Sequence, residues 1–299
     1  MTGPEPSSLP KVHEDPARFR EAIRFTAAET LFLPRLIEKD YFCTLLLGYL
    51  SAADGSLVFK GGTCLAKVHA GFYRLSEDLD FVIPTPLSSS RSERRNLAEG
   101  LKGAISQLPG KLNDFRIVKP LAGANHSTQY VAVVGYTSLI NQHEETVKIE
   151  TGLREPLLTP VLIGKAQTLL LNPVSGKPIT PAIPVPCLSW NEAMAEKLRA
   201  ALSRREVAIR DFYDIDYAVR KRGFLPLETA MTELVRQKLA VPGNDRVDVS
   251  EDRLAMLRRQ LDTELKTVLR EKDLREFDLE RAFRIVKDVA AIIYVEGHD

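Results

Sequence analysis

The sequence predicts an α/β (α+β) fold: a mixed sheet with helices, followed by an α-helical C-terminal subdomain. Three observations carry that expectation. A short apolar run, Leu57 to Phe59, stops at Gly61-Gly62, passes into a helical pattern, and emerges at Asp78-Leu-Asp-Phe-Val-Ile83 with a period of two. Strand-like runs recur at 115–118, 129–137 and 144–151, separated by the turn residues Gly123-Ala-Asn125 and Asn141-Gln142. From Ser189 onward the apolar residues recur only at helical spacing.

Taken in order, residues 1–16 carry Pro4, Pro6, Pro10 and Pro16 and read as a flexible tail. A short helix begins near Ala17 with Ala22, Ile23 and Phe25. A longer helix runs from Arg35 to Ala53 and stops at Asp54-Gly55. Its Ile37, Tyr41, Leu45, Leu46 and Tyr49 face the sheet, while Glu38, Lys39 and Asp40 read as a solvated helix face, with reach to the site as the alternative. After Pro84 and Pro86 a helix extends from about Arg91 to Leu108. Its basic start, Arg91, Arg94 and Arg95, fits equally the opening of a solvated helix or a contact with an RNA backbone. The sheet-bearing subdomain spans 17–155. Seven prolines between 156 and 188 exclude a long helix and mark a linker, and 189–299 forms the helical subdomain.

Ser189 and Glu192 are spaced as a capping box for a helix reaching Ser203, and a second helix runs from about Arg205 to Arg222. Further helices fall at Thr229–Ala240, Ser250–Leu269 and Phe277–Val295.

The chemistry concentrates between Phe59 and Ile83. Gly61 and Gly62 lack side chains, so the backbone there can turn tightly and approach a ligand closely. Thr63 reads as a cap for the helix carrying Leu65, Val68 and Phe72. The Gly61-Gly62-Thr63 turn then sits at a helix N-terminus, where unpaired N–H groups favour a phosphate. Alternation puts Asp78 and Asp80 on one face at the opening of a strand. Two ionised carboxylates so close repel unless a cation lies between them or one takes up a proton; a divalent metal is the simplest answer, and Mg²⁺, or Mn²⁺ in its place, suits such a donor set beside substrate phosphates. In Thr146-Val-Lys-Ile-Glu150 the same alternation lets Glu150 sit on a neighbouring strand with the same orientation, against the alternative of an exposed strand-end acid.

Strand, Gly-Gly-Thr, helix and Asp-x-Asp strand together resemble the layout of polymerase-beta-type nucleotidyltransferases. Lys60-Gly-Gly-Thr63 followed by Arg74-x-Ser76-x-Asp78-x-Asp80 is similar to the first motif of the AbiEii/AbiGii toxin family, the toxins of type IV toxin–antitoxin systems, including the MenT-type tRNA nucleotidyltransferases. Ile37-Glu-Lys-Asp-Tyr41, Val147-Lys-Ile-Glu150, Glu196-Lys-Leu-Arg-Ala200 and Arg210-Asp-Phe-Tyr-Asp214 extend the resemblance over about residues 35–220. The resemblance implies nucleotide binding by Lys60, Gly61, Gly62, Thr63, Arg74, Ser76 and Lys197. It implies catalysis by Asp78, Asp80, Lys197 and Asp211, with Glu150 as the third metal carboxylate. Asp211 would activate or orient the acceptor hydroxyl. On their own spacing, Lys197 and Asp211 flank the apolar seam of a helical hairpin and read as a salt bridge tying its two helices; the motif at 60–83 and the resemblance turn that reading to the active site. The implied partners are an NTP, the 3′ end of tRNA and a separately encoded antitoxin, with the helical subdomain closing over the cleft. A nucleotidyltransferase acting on a protein or small molecule, and a non-catalytic NTP-binding module, stay open.

Composition narrows these readings. The 299 residues, 44% hydrophobic, suffice for a full core, and a net charge of +1 argues against coating nucleic acid by bulk electrostatics. Cys43, Cys64 and Cys187 are widely spaced without a Cys-x-x-Cys pair, which argues against a disulfide framework or a zinc site and for a reducing compartment. The five histidines are scattered, and His69 reads as a surface or capping residue. Neither a basic-then-apolar leader nor a run of about eighteen apolar residues occurs, so a soluble cytoplasmic protein is expected.

Overall fold

The computed structural model describes residues 9–295. The chain divides into two compact units, the first ending at Leu188 and the second beginning at Ser189. Of the tail expected at 1–16, residues 1–8 lie outside the described residues. Residues 9–16 are structured: Val12–Glu14 makes one 3₁₀ turn, with Val12 and His13 buried, and His13 Nδ1 lies 2.8 Å from the Tyr41 hydroxyl. The prolines mislead because Pro16 starts a helix. At the first helical position its missing N–H costs nothing, and the Asp15 carboxylate caps α1 (Pro16–Thr30) by accepting from the N–H groups of Ala17 and Arg18.

Helix α2 (Pro34–Ala53) is buried from Leu36 through Leu50. The charge run expected to be solvated is therefore interior, and each charge has partners. Glu38 accepts from the Ser138 hydroxyl at 2.6 Å and the Leu139 N–H at 2.7 Å. Lys39 pairs with Glu77 at 2.9 Å. Asp40 meets the Lys67 ammonium at 2.6 Å and accepts from the Leu169 N–H at 2.8 Å. Burying these charges is tolerable only because every one is answered.

Seven strands make one mixed sheet: β1 (Val58–Lys60), β2 (Leu79–Val82), β3 (Phe115–Ala124), β4 (Gln129–Thr137), β5 (Glu144–Gly152), β6 (Leu162–Ala166) and β7 (Ile183–Cys187). Their order is β3-β4-β5-β2-β1-β7-β6. The β2–β5 and β1–β7 pairs are parallel and the others antiparallel. Leu79, Phe81, Ile83, Val147 and Ile149 join Phe42, Leu45 and Leu46 of α2 in the core. The helix expected over 91–108 is two, α4 (Arg91–Leu97) and α5 (Glu99–Lys111). Arg94 donates to the Leu153 carbonyl at 3.1 Å, while Arg91 and Arg95 are exposed.

Residues 156–188, expected as a linker, contribute β6 and β7 to the sheet. The proline spacing explains how. N–H groups alternate in direction along a strand, and that of Leu188 bonds the Phe59 carbonyl on β1. Pro184 and Pro186 therefore direct their missing donors to that same side, leaving Ile183, Val185 and Cys187 to pair with Ala166, Gly164 and Leu162 of β6.

The second unit is helical: α6 (Trp190–Ser203), α7 (Ile209–Arg222), α8 (Thr229–Ala240), α9 (Glu251–Gln260), α10 (Glu271–Glu276) and α11 (Leu279–Val295). Helix α3, which follows β1 directly in the first unit, is described with the site below. Ser189 caps α6 by accepting from the Glu192 N–H, and the Glu192 carboxylate meets the Lys238 ammonium at 2.7 Å. Met194, Leu198, Ala201, Phe212 and Ile215 are buried along the α6 and α7 seam. The helix expected to reach Leu269 leaves α geometry after Gln260 and makes a π turn over Leu261–Leu265.

Candidate active site

Strand β1 runs directly into α3 (Gly61–Cys64), which continues as a π turn over Leu65–Ala70. Thr63 lies inside this helical segment and is not its cap; Lys60 holds that position without a side-chain cap. The Thr63 hydroxyl instead donates to the Asp78 carbonyl at 2.5 Å, tying the turn to the approach to β2.

The two glycines are required sterically. Gly61 has φ +73°, and a Cβ there would lie 2.3 Å from Asp80 Oδ2. A Cβ on Gly62 would lie 2.4 Å from Arg74 Nη2. Arg74 is thus an interior support beneath the turn, 2% exposed and donating to the Leu75 carbonyl at 3.0 Å. Ser76 is half-buried in the loop that follows.

Across the sheet, Lys60 on β1 is opposite Asp80 on β2, and Asp80 is opposite Glu150 on β5. Directly opposed residues share a face, so the row Lys60, Asp80, Glu150 presents its side chains together. Asp78 stands one residue before β2, half-buried. Lys148, two residues before Glu150 on the same face, lies 3.0 Å from Glu150 Oε2 and 3.9 Å from Asp78 Oδ2. Gln129 donates to Glu150 Oε1 at 2.7 Å.

These surroundings split the acids. Burial, reinforced by the charge of Glu150, pushes the Asp80 carboxyl up to about 6. Burial also acts upward on Glu150, but the Lys148 ammonium and the Gln129 amide outweigh it and hold that carboxyl below its usual range. Glu150 in turn raises Lys148 against the effect of burial.

A divalent cation fits this donor set. Burial first, and then the charges of Glu150 and Asp78, raise the Asp80 carboxyl, and the nearby Lys148 ammonium already answers part of that negative charge. Among the described residues the three carboxylates do not close to within 4.8 Å of one another. That openness suits Mg²⁺, which takes one or two carboxylates and completes its shell with water and substrate phosphates. Asp80 with Asp78 would hold it, and Glu150 would join by exchanging Lys148.

Lys197 and Asp211 belong to the second unit. Lys197 Nζ lies 2.6 Å from Asp211 Oδ1 and 3.0 Å from Asp214 Oδ2, and Arg204 reaches Asp211 at 3.4 Å. The ion pair allowed by the spacing is therefore present, with a second acid added. Sequence reasoning missed Lys148, Gln129 and Asp214 as parts of these clusters. Lys148 was signalled by sharing the strand face of Glu150 and Asp214 by standing one helical turn after Asp211, while nothing local signals Gln129.

The glycines that open α3 directly after β1, set against an acid-bearing strand in a mixed sheet, belong to a nucleotidyltransferase fold. The chain belongs to the nucleotidyl transferase AbiEii toxin family of type IV toxin–antitoxin systems, whose model matches residues 44–287. Solved structures similar to it include a proposed nucleotidyltransferase from H. pylori, 20% identical with a TM-score of 0.43, covering 88% of this chain and 92% of that one. JHP933 from Helicobacter pylori is likewise 20% identical with a TM-score of 0.43, covering 95% of this chain and 93% of its own. No curated protein matches the chain. Among the described residues no helix is long and apolar enough to cross a membrane.

Proposed function

We propose that the chain is a metal-dependent toxin that transfers NMP from an NTP to the 3′ end of tRNA in the cytoplasm, releasing pyrophosphate and blocking translation. A separately encoded antitoxin restrains it. The observation that carries this reading is the row Lys60, Asp80 and Glu150 beside the Gly61-Gly62 turn, in a member of a nucleotidyltransferase toxin family.

The backbone of Gly61, Gly62 and Thr63 cradles the nucleotide phosphates, with Lys60 adding positive charge and Ser76 a hydroxyl. Arg74 keeps the turn in shape from beneath. Asp78, Asp80 and Glu150 are the metal carboxylates. A divalent cation held there supplies charge stabilisation for the attacking and departing oxygens. Lys197 takes phosphate in exchange for its present acids, and Asp211 then serves the acceptor hydroxyl.

The test is incubation of the purified chain with each labelled NTP, Mg²⁺ and total RNA or total protein, followed by gels and a pyrophosphate assay. Label on RNA of tRNA size is the expected result. Label on protein alone would move the acceptor to another class. Nucleotide binding without pyrophosphate release would leave a binding module.

A further inference from the structure

All three cysteines are free thiols and fully buried, and two of them come together although the chain holds no Cys-x-x-Cys pair. Cys64 ends α3, His69 lies in the π turn that follows, and Cys187 ends β7. One ligand atom from each falls within 4.8 Å of the other two. Wide spacing in the sequence and the lack of a Cys-x-x-Cys pair therefore did not keep two of the cysteines apart in the fold, and His69 lies beside them.

Two details make this a built site. His69 Nε2 lies 3.0 Å from the Leu188 carbonyl. A carbonyl can only accept, so that nitrogen carries the proton and Nδ1 keeps the lone pair a cation needs. Orientation of a ligating imidazole by a backbone carbonyl on its other nitrogen is the usual arrangement at metal centres. Second, a Cβ on Gly164 would lie 2.8 Å from Cys187 Sγ and 2.5 Å from Val68 Cγ1. The glycine is thus what leaves room for the sulfur, in a wall closed by Val68.

We propose that Cys64, His69 and Cys187 form a site for a borderline-soft divalent cation of the zinc class. With metal–sulfur bonds of about 2.3 Å, two thiolates around a tetrahedral ion stand roughly 3.8 Å apart, within the span found here. Binding displaces one proton from each thiol to solvent and leaves the fourth position to water. The site is distinct from the carboxylates at 78, 80 and 150 and uses ligands of different softness. Its effect is mechanical. β7 and β1 share one register pair, Phe59 with Cys187, so a cation held by both cysteines clamps β7 to the helical segment that begins at Gly61.

The test uses the full chain, purified under reductant, analysed for bound metal and titrated with Co²⁺. We expect one tightly held Co²⁺ per chain with a thiolate charge-transfer band and tetrahedral visible bands, displaced by Zn²⁺, and a melting temperature raised by either ion. Carboxylates alone produce no thiolate band, so the two sites are told apart. Cys187→Ser and His69→Gln should each weaken Co²⁺ binding at least ~10-fold, while Cys43→Ser leaves it unchanged. No thiolate band at saturating Co²⁺ in the unsubstituted chain overturns the proposal, whether or not any variant folds. So does a thiolate band that survives Cys187→Ser, or a Cys64–Cys187 disulfide in unreduced protein that holds no metal.

Discussion

Replacing Asp80 with Asn should make the metal-free protein more stable while ending its transfer activity. Burial, with the charge of Glu150 added, raises this carboxyl from 3.8 to about 6, equivalent to a cost of about 3 kcal/mol for keeping it ionised. Asp80 is half-buried, and solvent screening reduces the recoverable part to about 1–2 kcal/mol. The amide keeps the shape, and its NH₂ can donate toward Glu150. The pH dependence has a definite sign. Below about pH 4 the carboxyl is protonated in both folded and unfolded chains and costs nothing. Between about pH 4 and 6 the unfolded chain releases the proton first, so the native state loses stability as pH rises, and above about pH 6 the full cost is present. Urea unfolding of both proteins from about pH 4 to 8, without divalent ions, should show an advantage for Asp80→Asn that appears across that window and then levels. Added Mg²⁺ should stabilise the unsubstituted protein and leave the variant nearly unmoved. An Asn variant that is less stable at neutral pH, or a difference independent of pH, would refute the reading of Asp80 as an acid held in unfavourable charge for a cation.

Asp78→Asn should also abolish transfer, since it removes charge from the donor set; appreciable labelling of RNA by that variant would sink the metal reading. Gly61→Ala places a methyl on Asp80 at φ +73° and should cost about 1–2 kcal/mol by thermal unfolding, with transfer lost; a variant of normal stability and activity would show that the turn is not constrained. Lys148→Met removes the ammonium that competes for Glu150 and Asp78, so Mn²⁺ should bind several-fold more tightly by calorimetry, whereas weaker binding would mean that Lys148 organises the acids instead of competing for them.

Local pattern carried the central sheet. The alternation in Gln129–Thr137 and Glu144–Thr151, with turn residues at Asn141-Gln142, made β4 and β5 legible, and the β3-β4-β5 antiparallel extension follows from it. The row of Asp80 and Glu150 was legible for the same reason, because a period of two fixes which face a strand residue takes. What failed was whatever depends on partners distant in sequence. Glu38, Lys39 and Asp40 have the pattern of a solvated face, but Ser138, Glu77 and Lys67 meet them, and no local rule announces those neighbours. Prolines hid β7, since their cost in a strand depends on which side their nitrogens face, and that side became known only with β1 in place. Losing β7 from the reading also hid Cys187, and with it the convergence on Cys64 and His69.

The second unit poses a question that the sequence framed as a pair and the structure turns into a trio. A charge swap between Lys197 and Asp211 would separate a salt bridge from a functional pair only if the two faced each other alone. With Asp214 buried 3.0 Å from Lys197, the swap sets an acid against an acid and fails on either reading. The informative comparison is Asp211→Asn against Asp214→Asn. Each removes one of the two carboxylates on Lys197 and leaves the other, so their costs in unfolding free energy should be similar, at about 1–3 kcal/mol. Their activities should diverge. If Asp211 serves the acceptor hydroxyl, Asp211→Asn should lower kcat for transfer by about 100-fold or more, the scale of general-base loss. Asp214→Asn, which changes how Lys197 is held, should stay within about 10-fold. Single-turnover rates measured below the melting temperature of both variants decide between the readings. Equal losses that track stability would make the trio a buried tie between α6 and α7 and remove Asp211 from the chemistry.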